Sequence, residues 1–147
     1  MTDKLIDKAG AVRPGEELPI ASLLGWINTH IPVLKGSPNI TQYSGGASNW
    51  TYCLDFENKS VILRRPPSGT KAKGAHDMGR EYRLQKALQT VYPKVPEMLG
   101  YTDDESVIGA EFYIMQKFDG VIPRQNMPRD FTISAPNIRK LCESALD

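Results

Sequence analysis

Long apolar runs are missing from this 147-residue chain, in which no stretch nears the ~18 residues of a membrane helix. Cysteine is scarce as well: Cys53 and Cys142 are the only two, and Cys53 stands among strand-forming neighbours, where it acts as a small hydrophobe. No Cys/His cluster has metal-ligand spacing, and Met1-Thr2-Asp3-Lys4 does not open a secretory signal. These absences predict a reducing, cytoplasmic setting. Excess charge of one sign is lacking too, since 18 Lys and Arg face 17 Asp and Glu for a net +1. A general polyanion binder is therefore not expected, neither nucleic acid nor membrane. No repeat or low-complexity tract occurs.

What is present is an uneven distribution. Between Lys59 and Lys86 eight cations meet only Asp77 and Glu81, a local +6, so the remainder carries −5. That pattern suggests one anionic ligand at one place rather than a basic face. The length suits one domain, or one domain with part of a second, and a chain of this size buries roughly 70% of its unfolded surface.

Residues 3–17 read as extended. Pro19 opens a helix carrying Ile20, Leu23, Leu24, Ile27 and Ile31 on one stripe, ended by Pro32 and Gly36. Strands are expected near 39–44, Trp50–Phe56 and Ser60–Arg65, the last stopped by Pro66-Pro67. Ser68–Gly74 reads as a polar loop. A helix over Ala75–Val91 is expected to bury Met78, Tyr82, Leu84, Leu88 and Val91, and Pro93 and Pro96 forbid its continuation. Strands near 97–102 and 111–117 follow, then a linker marked by Gly120 and Pro123. A last helix from Ser134-Ala135-Pro136 carries the stripe Ile138, Leu141, Cys142, Ala145 and Leu146. Five antiparallel strands with a helix after the third make an α+β fold. The expected organisation is an extension with helix over 1–37, a lobe over 38–119, and a linker with the first helix of a second lobe over 120–147.

Three groups carry possible chemistry. In Ser44-Gly45-Gly46-Ala47-Ser48-Asn49, glycine lets main-chain N–H groups approach a phosphate, and the serines add hydroxyl donors. A plain hairpin turn has the same composition. Arg64 ends an apolar strand, so its guanidinium is a candidate for gripping phosphate oxygens through paired N–H groups. Whether Arg64 or Arg65 points inward is a matter of register, and counting back from Pro66 favours Arg64. Glu81, on the following helix, either orients Arg64 or stays solvated beside its helical neighbours. After the strand Phe112-Tyr113-Ile114-Met115, the connector Gln116-Lys117-Phe118-Asp119-Gly120 offers main-chain groups that a purine could pair with, or is an ordinary linker. His30 and His76 are isolated, and Asp103-Asp104-Glu105 reads as a solvated turn. Trp50 and Tyr52 read as core aromatics.

Taken in order, Gly45-Gly46-Ala47-Ser48-Asn49-Trp50-Thr51-Tyr52, Val61-Ile62-Leu63-Arg64-Arg65-Pro66-Pro67, Arg80-Glu81-Tyr82-Arg83, Val107-Ile108-Gly109 and Phe112-Tyr113-Ile114-Met115 resemble the N-terminal lobe of the aminoglycoside phosphotransferase and choline kinase-like family. The likeness is greatest to the subgroup resembling the kinase-like region of some acyl-CoA dehydrogenases, and it spans about residues 5–146. The resemblance implies a protein-kinase-like N-lobe, a five-stranded antiparallel sheet with N- and C-terminal helices added. It implies ATP as the bound nucleotide, with Ser44, Gly45, Gly46, Ala47, Ser48 and Asn49 over the triphosphate. Arg64 would take the place of the fold's phosphate-binding lysine, and Glu81 that of its helical partner. Ile62 and Met115 would line the base pocket, and the Gln116 carbonyl and Phe118 N–H would face adenine. The family's second lobe, with its catalytic and metal-binding residues, has no counterpart before Asp147, so Mg²⁺ and a small hydroxyl-bearing acceptor are expected only with that lobe. By this reading the 147 residues do not catalyse alone. The alternatives are a non-catalytic, pseudokinase-like binding module, and self-association through the C-terminal helix.

Overall fold

The computed structural model describes residues 6–44, 48–69, 77–120 and 132–146. Its elements are α1 (Ile20–His30), β1 (Asn39–Gln42), β2 (Trp50–Asp55), β3 (Ser60–Arg65), α2 (Met78–Leu88), β4 (Met98–Thr102), β5 (Phe112–Gln116) and α3 (Ala135–Leu146). The strands form one antiparallel sheet in the order β1-β2-β3-β5-β4. β5 thus pairs with β3, across the chain segment that carries α2. Lys8–Asp119 makes one compact unit, and α3 belongs to a second.

Alternation along the strands divides the sheet into two faces with different chemistry. On one face Tyr52, Leu54, Val61, Leu63, Phe112 and Ile114 are all fully buried, joined by Leu23 and Ile27 of α1 and by Ile31 and Leu34 after it. Each such side chain contributes about 1.5–3 kcal/mol by leaving water, so this face holds most of the stability. Trp26 meets Phe112 edge-on with ring centroids 4.9 Å apart. Gly100 of β4 permits that approach, because a Cβ there would come within 2.8 Å of the Trp26 ring. The extended segment before α1 is pinned to the sheet. Gly10 and Gln42 exchange backbone hydrogen bonds, Gln42 Nε2 donates to Glu16 Oε2 at 2.6 Å, and the Tyr52 hydroxyl donates to the Glu16 carbonyl at 2.8 Å.

α2 covers part of the other face. Its start is set by Asp77, whose carboxylate accepts from the Arg80 N–H at 2.6 Å. Ala75 and His76, expected as its first residues, lie outside the described residues, as does most of the loop before it. The expected apolar stripe is overturned: Met78 is buried and Tyr82 half-buried, whereas Leu84, Leu88 and Val91 are exposed. The side of α2 turned to the sheet runs Met78, Glu81, Tyr82, Gln85, with Gln89 just past its end. Met78 packs with Met98 and Tyr113, and Tyr82 stacks on Tyr101 at 5.4 Å. Gln85 and Gln89 hydrogen-bond to β5 and β4. Apolar periodicity misplaces this helix because three of its inward positions are polar.

α3, taken by itself, starts where the Ser134 carbonyl accepts from the Asn137 and Ile138 N–H groups, and Ile138 and Leu141 on it are exposed. The linker before it, residues 121–131, lies outside the described residues. No described helix is long and apolar enough to cross a membrane.

Candidate functional site

Register brings the site together. Arg64 lies directly opposite Thr51 on β2 and Tyr113 on β5, and residues facing one another across an antiparallel pair share a face. The neighbouring row on that face is Cys53, Ile62 and Met115. α2 then places Glu81 over the first row. Arg64 Nη1 donates to Glu81 Oε2 at 2.9 Å and to the Tyr113 hydroxyl at 2.9 Å, and that hydroxyl donates to the same Glu81 oxygen at 2.9 Å. The second carboxylate oxygen, Oε1, accepts from Asn49 Nδ2 at 3.2 Å.

Tyr113 is the fixed point of this group. It is fully buried, and burial pushes its phenol up to about 12, with Glu81 adding to the rise and Arg64 opposing it. The phenol therefore stays protonated at neutral pH and keeps its one proton for Glu81. Its oxygen accepts from Arg64 and, at 3.4 Å, from Gln85 Nε2, which exhausts a phenol's capacity. Glu81 itself remains partly open, with 36% of its side chain exposed against 28% for Arg64. Among the described residues, both Arg64 bonds leave from Nη1, so Nε–H and Nη2 keep their donors for something else.

Arg65 does the opposite. One residue further along β3, it turns into the other face and is only 6% exposed. Its guanidinium lies over Trp50 at 5.2 Å from the ring centroid and donates to the Ile108 carbonyl at 3.0 Å. Burial lowers its pKa, while Tyr52 and Glu16 act in the other direction. So each arginine has its own face. Arg64 is the one at the half-open site.

The remaining expected residues fall as follows. Ser44 and Ser48 are exposed at the two ends of the turn joining β1 to β2, and Gly45, Gly46 and Ala47 lie outside the described residues. Asn49 is buried against Glu81. Ile62 is buried with half-buried Met115 across from it. Gln116 N–H donates to the Glu97 carbonyl at 2.8 Å, and Phe118 is 55% exposed. Lys117 and Asp119 form an ion pair. Cys53 is buried, its thiol pushed up to about 11 mainly by burial. Tyr113 and Gln85 are site residues that the sequence reading gave no role. Only the β3–β5 pairing puts Tyr113 beside Arg64, and no local pattern announces it. Among the described residues, no three His, Cys, Asp or Glu side chains converge on a possible metal position.

An antiparallel five-stranded sheet with a helix after its third strand, a cation on that strand and a carboxylate on that helix define the N-terminal lobe of a kinase-like fold. The chain belongs to the phosphotransferase enzyme family, APH, whose model matches residues 39–146. It is 38% identical over 126 residues to acyl-CoA dehydrogenase family member 11 of Rattus norvegicus, covering 83% of this chain and 16% of that protein. It is 37% identical over 100 residues to acyl-CoA dehydrogenase family member 10 of Mus musculus, covering 68% of this chain and 9% of that protein. Thus the chain spans about a sixth or less of these relatives' length. A crystal structure of a provisionally assigned aminoglycoside phosphotransferase from Ralstonia eutropha JMP134 superposes with a TM-score of 0.64 at 28% identity, over 84% of this chain and 34% of that one.

Proposed function

We propose that this chain is the ATP-binding lobe of a phosphotransferase that moves the γ-phosphate onto a hydroxyl of a small molecule. The observation that carries the reading is the Arg64–Glu81–Tyr113 group, which holds a cation in place while leaving its outer N–H groups available. Bound ATP supplies an activated phosphoryl group; this chain's residues bind and orient it. The base lies on the Cys53–Ile62–Met115 row, with the Gln116 carbonyl and the Phe118 N–H at its edge. One row on, about 7 Å along the strands, Arg64 meets the α- and β-phosphate oxygens as a two-donor fork. Ser44, Ser48 and the Gly45-Gly46-Ala47 stretch between them cover the phosphates, since glycine allows main-chain N–H groups to approach an anion.

The dehydrogenases named among the relatives are far longer proteins, and the chemistry in their names is theirs. The phosphotransferase model, by contrast, covers most of this chain. Acceptor identity belongs to residues outside this lobe, and a cytoplasmic location is part of the same proposal.

Titration calorimetry with adenosine, AMP and ADP tests the reading. Affinity rises at each added phosphate, by roughly tenfold or more from AMP to ADP, the scale of one or two charge-assisted hydrogen bonds. Equal affinity for adenosine and ADP, or no binding of ADP, contradicts it.

A further inference from the structure

We infer that Asn49 is a positioning residue that ties the start of β2 to α2 through Glu81, rather than a contact to phosphate. Three observations converge on it. Asn49 is only 4% exposed, although Ser48 beside it lies open to solvent. Its Nδ2 sits 3.2 Å from Glu81 Oε1, and the other oxygen of that carboxylate serves Arg64 and Tyr113. The amide nitrogen must be the atom facing Glu81, because the alternative would set a carbonyl against a carboxylate, two acceptors with no proton between them.

Placement gives the bond its consequence. Asn49 immediately precedes Trp50, the first residue of β2, and follows the turn that carries Gly45 and Gly46. At the other end of the turn, the Tyr43 N–H donates to the Thr51 carbonyl at 2.9 Å. The lead into β2 is thus fastened to a helix residue 32 positions away. Glu81 divides its two oxygens between the strand cation and Asn49, so the carboxylate cannot rotate off Arg64 without also releasing Asn49. Seating of the start of β2 and orientation of the guanidinium become one event. This inference deepens the nucleotide reading and rests on it for its effect on ligand, while the tether itself is a property of the unliganded chain.

A double-mutant cycle of Asn49→Ala and Glu81→Ala separates the possibilities, read by ADP and adenosine affinities. Asn49→Ala alone weakens ADP roughly 5- to 10-fold, the size of one hydrogen bond to a charged group. In the Glu81→Ala background it weakens ADP by less than about 2-fold, because the two residues act as a unit. Adenosine affinity moves less than about 2-fold throughout, which a general loss of structure would not spare. Losses on ADP that multiply independently overturn the inference, since they would make Asn49 a ligand contact. Amide hydrogen exchange without nucleotide supplies the second arm. Either substitution speeds exchange at Trp50 and Thr51 by roughly tenfold, the double variant no further, and Leu54 and Leu63 keep their protection. Unchanged exchange at Trp50 and Thr51 in both single variants also overturns it. A chain that binds no ADP yet shows the coupled exchange retains the tether and refutes the nucleotide reading.

Discussion

Arg64→Ala lowers the affinity for ADP by roughly 30- to 150-fold, equivalent to about 2–3 kcal/mol, while the chain stays folded. The size follows from what the guanidinium would do: two charge-assisted N–H bonds to phosphate oxygens from a cation already oriented by Glu81 and Tyr113. Folding is spared because the Arg64–Glu81 pair is half-open to solvent, and such pairs are worth about 1 kcal/mol or less. The phenol of Tyr113 keeps Glu81 as its acceptor when the cation is gone. Calorimetric titration of the variant beside thermal unfolding checks both halves. Arg64→Lys distinguishes charge from shape: a point charge restores attraction but not the fork, so affinity recovers only in part.

Arg65→Ala gives the mirror result, a loss of about 3 kcal/mol in stability with little direct effect on nucleotide. Arg65 is buried, and its removal leaves the Ile108 carbonyl without its donor, Trp50 without the cation on its face, and a cavity at the end of β3. A lost charge-assisted hydrogen bond in a buried setting costs about 1.5–3 kcal/mol and a desolvated cation–π contact up to about 2, and the two are not additive. For a folded body of this size the unfolding midpoint drops by about 10 °C. Differential scanning calorimetry reads that shift directly. Equal damage to ADP binding from Arg64→Ala and Arg65→Ala, at matched stability, would break the assignment of one arginine to each face.

The order of elements is legible because punctuation is strong where it matters. Asn58-Lys59 and Pro66-Pro67 bracket β3 at its observed bounds, Pro19 opens α1, and the glycine turn separates β1 from β2. The pairing of Arg64 with Glu81 is legible as a possibility, since a strand-end cation and a helical carboxylate are the parts such a site needs. Its third and fourth members are not. Tyr113 reaches Arg64 only through a strand pairing across 49 residues of sequence, and the bond from Asn49 to Glu81 spans 32. The inward side of α2 escapes an apolar pattern for the same reason that makes the site. Glu81, Gln85 and Gln89 face the sheet because polar partners wait there, and a search for apolar stripes passes over them. Arg65 carries a related lesson: among the described residues its guanidinium buries beside an indole and carbonyls, a combination spread over Trp50, Pro66, Ser68 and Ile108.

The central claim is that nucleotide lies on the Arg64 side of the sheet, across the Ile62 and Met115 row. Methyl-resolved NMR during an ADP titration tests it most directly, because Ile62 and Met115 point to that side while Leu63 and Ile114 point to the other with Leu23 and Ile27. The account predicts that the Ile62 and Met115 methyl signals move with added ADP and that those of Leu23, Ile27, Leu63 and Ile114 hold still. Movement confined to the α1 side, with Ile62 and Met115 unchanged, would contradict it.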